Sequence, residues 1–142
     1  MIEVRFEKRA GVSSRWVEGV VAHTLKSEKV DLGCDCHGLE LNVLVTDDRR
    51  IRRINKKFLK HDYATDVISF GSNASADLLQ GDLVVSADTA RRVAKEMKIP
   101  FRQELARYLV HGTLHLLGYD DKKKKDHVKM HDRQEKILKD CL

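Results

Sequence analysis

HGTLHLLGYDD, residues 111–121, places two histidines four positions apart in an apolar run, then a glycine, then two aspartates. On an α-helix, residues four apart stand one above the other, so His111 and His115 can offer both imidazoles to one ion. Leu109, Val110, Leu114, Leu116 and Leu117 mark this helix as deeply buried, and polar groups buried among them need partners. Gly118 tolerates the left-handed conformation that ends helices. The chain then turns back, and a residue a few positions on can approach the same ion. Two histidines plus one further ligand leave a coordination position open for water, as catalytic zinc sites do.

Working outward, this helix is the second of two in succession, expected at about 87–98 and 101–117. Upstream, IEVRF (2–6) alternates apolar and polar residues as a half-buried strand does. Residues 13–28 carry Trp16, Val17, Val20, Val21 and Leu25 at helical spacing behind a capping serine. ELNVLVT (40–46) is a strand by composition, and Thr46 can cap the helix that follows. In that helix Ile51, Ile54 and Phe58 form a narrow apolar stripe among Arg49, Arg50, Arg52, Arg53, Lys56 and Lys57. DVISF (66–70) and DLVVS (82–86) are further strands, separated by the polar stretch GSNASADLLQ. A last helix runs through Val128, Ile137 and Leu138. Strands mixed with helices, two of them consecutive near the end, predict an α+β fold.

The chain has 142 residues, which suits one domain spanning 1–142. Charged residues at 35% and hydrophobic ones at 42% describe a globular protein, and no apolar run approaches bilayer length. MIEVRFEKRA lacks the apolar core of a signal peptide, so the expected compartment is the cytoplasm. Cys34, Cys36 and Cys141 are an odd count, and C-x-C-H is an unusual ligand spacing; they read as reduced thiols. A net charge of +5 leans mildly towards a polyanionic partner.

Isolated histidine pairs arise by chance, and either imidazole could simply be hydrogen-bonded in a core. The familiar zinc-protease motif, H-E-x-x-H, places its general base after the first histidine; here that position is Gly112.

HGTLHLLGYD, preceded by NKKFLKHDYATDVISF (55–70) and GDLVVS (81–86), resembles the YbeY family of bacterial rRNA-maturation endoribonucleases. The family pattern reads H-G-x-L-H-L-x-G-Y-D-H after an upstream N-x-x-F-R-x-x-D-x-P-T-D-V-L-S-F. The resemblance implies a small mixed four-stranded sheet flanked by about five helices. It also implies a zinc-dependent single-strand RNase acting in 16S rRNA processing and ribosome quality control. Its partners would be rRNA, the small ribosomal subunit and assembly factors such as the Era GTPase, with no membrane involved.

Two departures matter. The family's third metal-binding histidine falls on Asp121, and its F-R arginine on Leu59; a proline is also replaced, by Ala64. Carboxylate oxygens are good zinc ligands, although aspartate reaches about 2 Å less far than histidine's distal nitrogen. Two histidines and a carboxylate also suit ferrous iron, so one zinc or another divalent ion is expected at His111, His115 and Asp121. Asp120 reads as a residue that supports the ligands from behind or shapes the turn. His127 and His131, either of which could fold back to the ion, read more simply as exposed positions on the last helix. Leu59 cannot reproduce a guanidinium, and Lys60 beside it lacks planar, bidentate geometry.

Arg49, Arg53, Lys57, Lys60, Lys122 and Lys123 are the expected phosphate contacts, although a run such as Lys122–Lys125 is often only solvated. Thr65, Asp66 and Ser69 match the block that borders the cleft in the family, with strand capping and packing as their plainer role. Aromatic residues are sparse at 6%, and no stacking platform is legible, apart from Phe70 and Tyr119 in the motif segments. The reading is a metal-dependent endoribonuclease in which water on the metal attacks or protonates at the phosphodiester. An RNA-binding assembly factor that has lost most catalysis is the alternative, and a metalloprotease is weakened by Gly112.

Overall fold

Period-two alternation becomes β1 (Ile2–Phe6), which pairs in parallel with β2 (Gly38–Thr46). The computed structural model describes residues 1–30, 38–75 and 78–142, with the side chains of 72–75 and 78 excluded. The CDCH run, with Cys34 and Cys36, lies outside the described residues. β4 (Leu78–Ser86) pairs in parallel with the other side of β2, and β3 (Val67–Ser75) closes the edge antiparallel to β4. The order is β1-β2-β4-β3 in an open mixed sheet. The stretch expected to separate two short strands is instead mostly ladder: Gly71 pairs with Gly81, and both strands extend into it.

Four helices cover one face. They are α1 (Ser14–Ser27), α3 (Ala87–Met97), α4 (Phe101–Leu116) and α5 (Lys124–Cys141). Ser13 caps α1 by accepting the Trp16 N–H at 3.0 Å. Between helices and sheet lies the main core, in which Leu41, Val43, Val45, Leu83 and Val85 meet Val17, Val21, Leu25, Leu105, Leu109 and Leu114. On α5 the buried residues are Met130, Gln134, Ile137 and Leu138, whereas Val128 points to solvent.

α2 (Asp48–Leu59) is alone on the other face, where Ile51 packs on Ile68 and Val84. Its cap is Asp47, which accepts the Arg50 N–H at 2.8 Å, not Thr46. Thr46 is buried and donates to Glu7 at 2.9 Å. The expected stripe is only half used, because Ile54 is partly buried and Phe58 is 60% exposed.

A polar knot ties the start of α2 to the start of α3. Asp48 accepts the hydroxyls of Ser86 and Thr89, each at 2.6 Å, and the Arg92 guanidinium at 3.0 Å. Asp88 accepts the Asp48 N–H and pairs with Lys8. Burial alone would raise the Asp48 pKa, but the bonds from Ser86, Thr89 and Arg92 outweigh it and hold the carboxyl below its ordinary value. A depressed carboxyl pKa stabilises the fold above the unfolded value near 3.9, and that contribution fades as pH falls through the folded value. Urea melts of Asp48→Ala should therefore show a loss of about 1–3 kcal/mol at pH 7. The gap to wild type should narrow as acid protonates Asp48.

Candidate metal centre

α4 crosses β3 at Gly112, and that crossing sets the depth of the two histidines. A Cβ on Gly112 would lie 2.8 Å from Leu83 Cδ2, 2.9 Å from Val67 Cγ2 and 3.1 Å from Ser69 Oγ. Ser69 donates its hydroxyl to the Gly112 carbonyl at 3.0 Å. A side chain after His111 would have to push Leu83 and Val67 aside, so a protease-type glutamate at that position would meet a crowded surface.

Each histidine is aimed through its Nδ1. His111 Nδ1 lies 2.6 Å from Gln134 Oε1. Gln134 is 5% exposed and donates its Nε2 to the Glu135 carboxylate at 3.0 Å. Because that carboxylate only accepts, the amide oxygen must face His111, and His111 donates from Nδ1. His115 Nδ1 donates to the Tyr119 carbonyl at 3.0 Å. Both Nε2 atoms are then acceptors, and they face each other at 3.1 Å. Two lone pairs at that range repel unless a cation lies between them.

Asp121 supplies the third group, its Oδ2 lying 3.8 Å from His111 Nε2 and 3.6 Å from His115 Nε2. Ligand atoms at about 2.0–2.2 Å from a tetrahedral zinc stand roughly 3.3–3.6 Å apart. The separations of 3.1, 3.6 and 3.8 Å straddle that range, so small shifts would bring the three groups onto one ion. His111, His115 and Asp121 are the metal-capable cluster among the described residues. Burial holds the His111 imidazole below the ordinary histidine pKa, and His115 acts in the same direction against the bond to Gln134. A neutral imidazole is the form that binds metal.

The supports behind the ligands are also legible. Glu135 takes two hydrogen bonds of 3.1 Å from Arg107, which also pairs with the buried Glu104. Burial and Glu104 push the Tyr108 hydroxyl far above its ordinary pKa. α4 gives way at Gly118, whose φ is +99°. The Tyr119 N–H bonds back to Leu114 O, and the Tyr119 hydroxyl donates to Glu28 at 2.7 Å. Arg133 on α5 binds the same Glu28 and the Ser27 carbonyl. The turn that presents Asp121 is thus tied to α1 and α5. Asp120 accepts the Lys122 N–H at 3.0 Å, within the turn.

The cleft beside these groups has a volume of about 270 Å³ and is lined by Asp66, Tyr108, His111, Asp121, His127, His131 and Gln134, among others. Thr65 and Ser69 are not part of that lining: Thr65 bonds to Asp66 at 3.3 Å, and Ser69 lies under Gly112. Lys122 and Lys123 are exposed directly after Asp121. Arg49, Arg53, Lys57 and Lys60 are exposed on or beside α2, which packs on the opposite face of the sheet. His127 and His131 are solvent-exposed yet stand on the cleft wall, rings near parallel at 12° and 6.4 Å apart. Residues 127, 131 and 134 share one face of α5, and the contact of Gln134 with His111 turns that face to the cleft.

Fold and cleft together define an α+β domain with a carboxylate and two aimed imidazoles at one sheet edge. The sequence model of the family described as Endoribonuclease YbeY matches residues 3–141. A Flavobacterium psychrophilum protein of that name is 36% identical over 138 residues, 96% of this chain and 91% of its own length. One from Porphyromonas gingivalis is 44% identical over 99 residues, 70% of this chain but only 65% of its own length. The solution structure of a Thermotoga maritima protein superposes with a TM-score of 0.68 at 25% identity, covering 99% of this chain and 89% of that one. The chain belongs to the YbeY family.

Gln134→Leu removes the acceptor behind His111 and should weaken zinc binding about 10–100-fold. Gln134→Glu, which keeps an oxygen there, should lose less. Competition with a chromophoric chelator reads both.

Proposed function

We propose that residues 1–142 act as one metal-dependent hydrolase domain that cuts single-stranded RNA, with His111, His115 and Asp121 holding the metal. One observation carries the reading: two Nε2 acceptors 3.1 Å apart, each aimed by a bond to its Nδ1, beside a carboxylate. Zinc fits the donor set, and the carboxylate keeps ferrous iron in play. Such an ion supplies an acidified water and a Lewis acid for phosphoryl oxygen.

The chain's own residues do the remainder. Asp121 brings a negative charge that a histidine would not, which offsets more of the ion's charge. Lys122 and Lys123 stand at the mouth, where a lysine draws phosphate as a point charge without reading bases. His127 and His131 give the opposite wall two groups able to hold a proton near the phosphodiester. The family match supports the processing of rRNA as the setting. We extend it to 16S rRNA maturation and ribosome quality control in the cytoplasm, with the small ribosomal subunit and an Era-type GTPase as partners. No helix among the described residues is long and apolar enough to cross a membrane.

A second reading, an RNA-binding assembly factor with little catalysis, draws on Leu59. It is 44% exposed, so the family's guanidinium has no equivalent at this point of the surface. The two readings separate on one gel. Zinc-loaded protein should cut unstructured RNA, His111→Ala should lose at least 100-fold in rate, and casein should remain intact. RNA bound but uncut by the wild type would select the second reading.

A further inference from the structure

The sheet face away from the metal cleft is mostly uncovered. Across it, one row of side chains runs Glu3, Asn42, Asp82 and Phe70 in register, and the next runs Arg5, Leu44, Val84 and Ile68. α2 covers the apolar end of the second row through Ile51. The first row floors a groove of about 930 Å³ whose wall is Arg50, Ile54 and Phe58 of α2.

Phe58 is 60% exposed, although burying a phenylalanine is worth about 1.5–3 kcal/mol. Its ring meets Phe70 edge-on at 5.6 Å and 69°, and Lys57 Nζ lies 5.3 Å from its centroid. Just beyond, His61 and Tyr63 stack at 5.5 Å and 13°, with Tyr63 55% exposed. The segment is built: Asn55, 2% exposed, donates to Tyr63 O and accepts the His61 N–H, and Arg52 pairs with Asp62 at 2.8 Å. These rings sit at the end of a helix carrying Arg49, Arg50, Arg52, Arg53, Lys56 and Lys57.

Two occupants could cover such rings, a protein or a nucleic acid. Protein interface cores are depleted of charge, whereas this floor exposes Glu3, Arg5 and Asp82. Exposed aromatics flanked by cations are what unpaired nucleic acid uses, because a base stacks on the ring while phosphate meets the basic side chain. A four-stranded sheet face with aromatics is a known solution for single-stranded RNA. Asn42, which donates to Asp82 at 3.0 Å, and the two carboxylates can meet donors on base edges.

We propose that this face is a nucleobase subsite for unpaired RNA. Phe58 stacks a base with Phe70 edge-on beside it, Lys57 and Arg50 hold its phosphates, and the Glu3–Asn42–Asp82 row meets the base edge. The subsite rests on the endoribonuclease reading and adds to it. Asp66 in the metal cleft and Phe70 in the groove are four residues apart along the edge strand, about 13 Å. RNA passing over that edge is gripped on one face and cut at the other.

The test uses fluorescein-labelled oligouridylate and oligoadenylate. Binding is measured on EDTA-treated full-length protein, and cleavage on zinc-loaded protein. Phe58→Ala should bind at least about ten-fold more weakly with an unchanged salt slope, while Lys57→Ala should lower that slope. Phe58→Leu, which keeps an apolar side chain, should fall with Phe58→Ala. In cleavage, Phe58→Ala should raise KM more than it lowers kcat. Unchanged affinity and KM in Phe58→Ala, with cleavage intact, would overturn the subsite and leave the nuclease standing. Weakened binding by Phe58→Ala in a protein that never cuts would support the subsite and remove the nuclease. Wild type that binds neither RNA, or a self-association abolished by Phe58→Ala with RNA binding intact, would overturn the proposal in favour of a protein surface.

Discussion

Two glycines let α4 lie against the sheet, and the metal-capable cluster depends on that approach. Gly112 on the helix meets Val67 and Leu83, and a Cβ on Gly81 in β4 would stand 2.7 Å from Leu116 Cδ2. The helix is therefore held at two points on either side of His115. Interiors packed at crystal-like density transmit a shift of one methyl group. A side chain at either glycine would press on these neighbours, and any lift of the helix that relieved it would carry both imidazoles away from their partners, Gln134 on α5 and the Tyr119 carbonyl in the turn.

Hydrogen-bond polarity then does what packing cannot. A buried imidazole has two tautomers, and only one leaves Nε2 free. Arg107 fixes Glu135, Glu135 fixes the Gln134 amide, and Gln134 fixes His111. His115 gets the same instruction from backbone, because Gly118 bends the chain so that the Tyr119 carbonyl comes back over the helix. The result is a pair of facing lone pairs, a local frustration that the rest of the fold sustains. Such departures from local comfort concentrate at functional sites.

Most of the architecture was legible because it follows periodicity: IEVRF, the 13–28 helix and the 101–117 helix land within a residue or two of their expected bounds. The errors have local causes. Asp47 takes the cap expected of Thr46 because Thr46 still belongs to the ladder, where it pairs with Ser86. The β3–β4 hairpin runs into GSNASADLLQ because β-pairing rewards backbone groups irrespective of side-chain polarity. The spacing of His111 and His115 announced the cluster, but nothing local announces Gln134, which arrives from 23 residues away on another helix. His127 and His131 looked like solvent positions and are solvent positions; only the docking of α5 on α4 makes that solvent a cleft.

The edge strand β3 gives the molecule its division of labour. Alternation sends Val67 and Ser69 inward under α4 and Ile68 and Phe70 outward beneath α2. One five-residue motif, DVISF, thus belongs to both faces: Asp66 borders the metal cleft and Phe70 the open groove. A residue of the block can matter to one face without touching the other. Leu59 is a case in point. It is the last residue of α2, the helix that packs on Ile68 and Val84, and it takes no part in the bonds that aim His111 and His115. Replacing arginine there removes a surface charge and leaves the bonds that aim the two imidazoles in place.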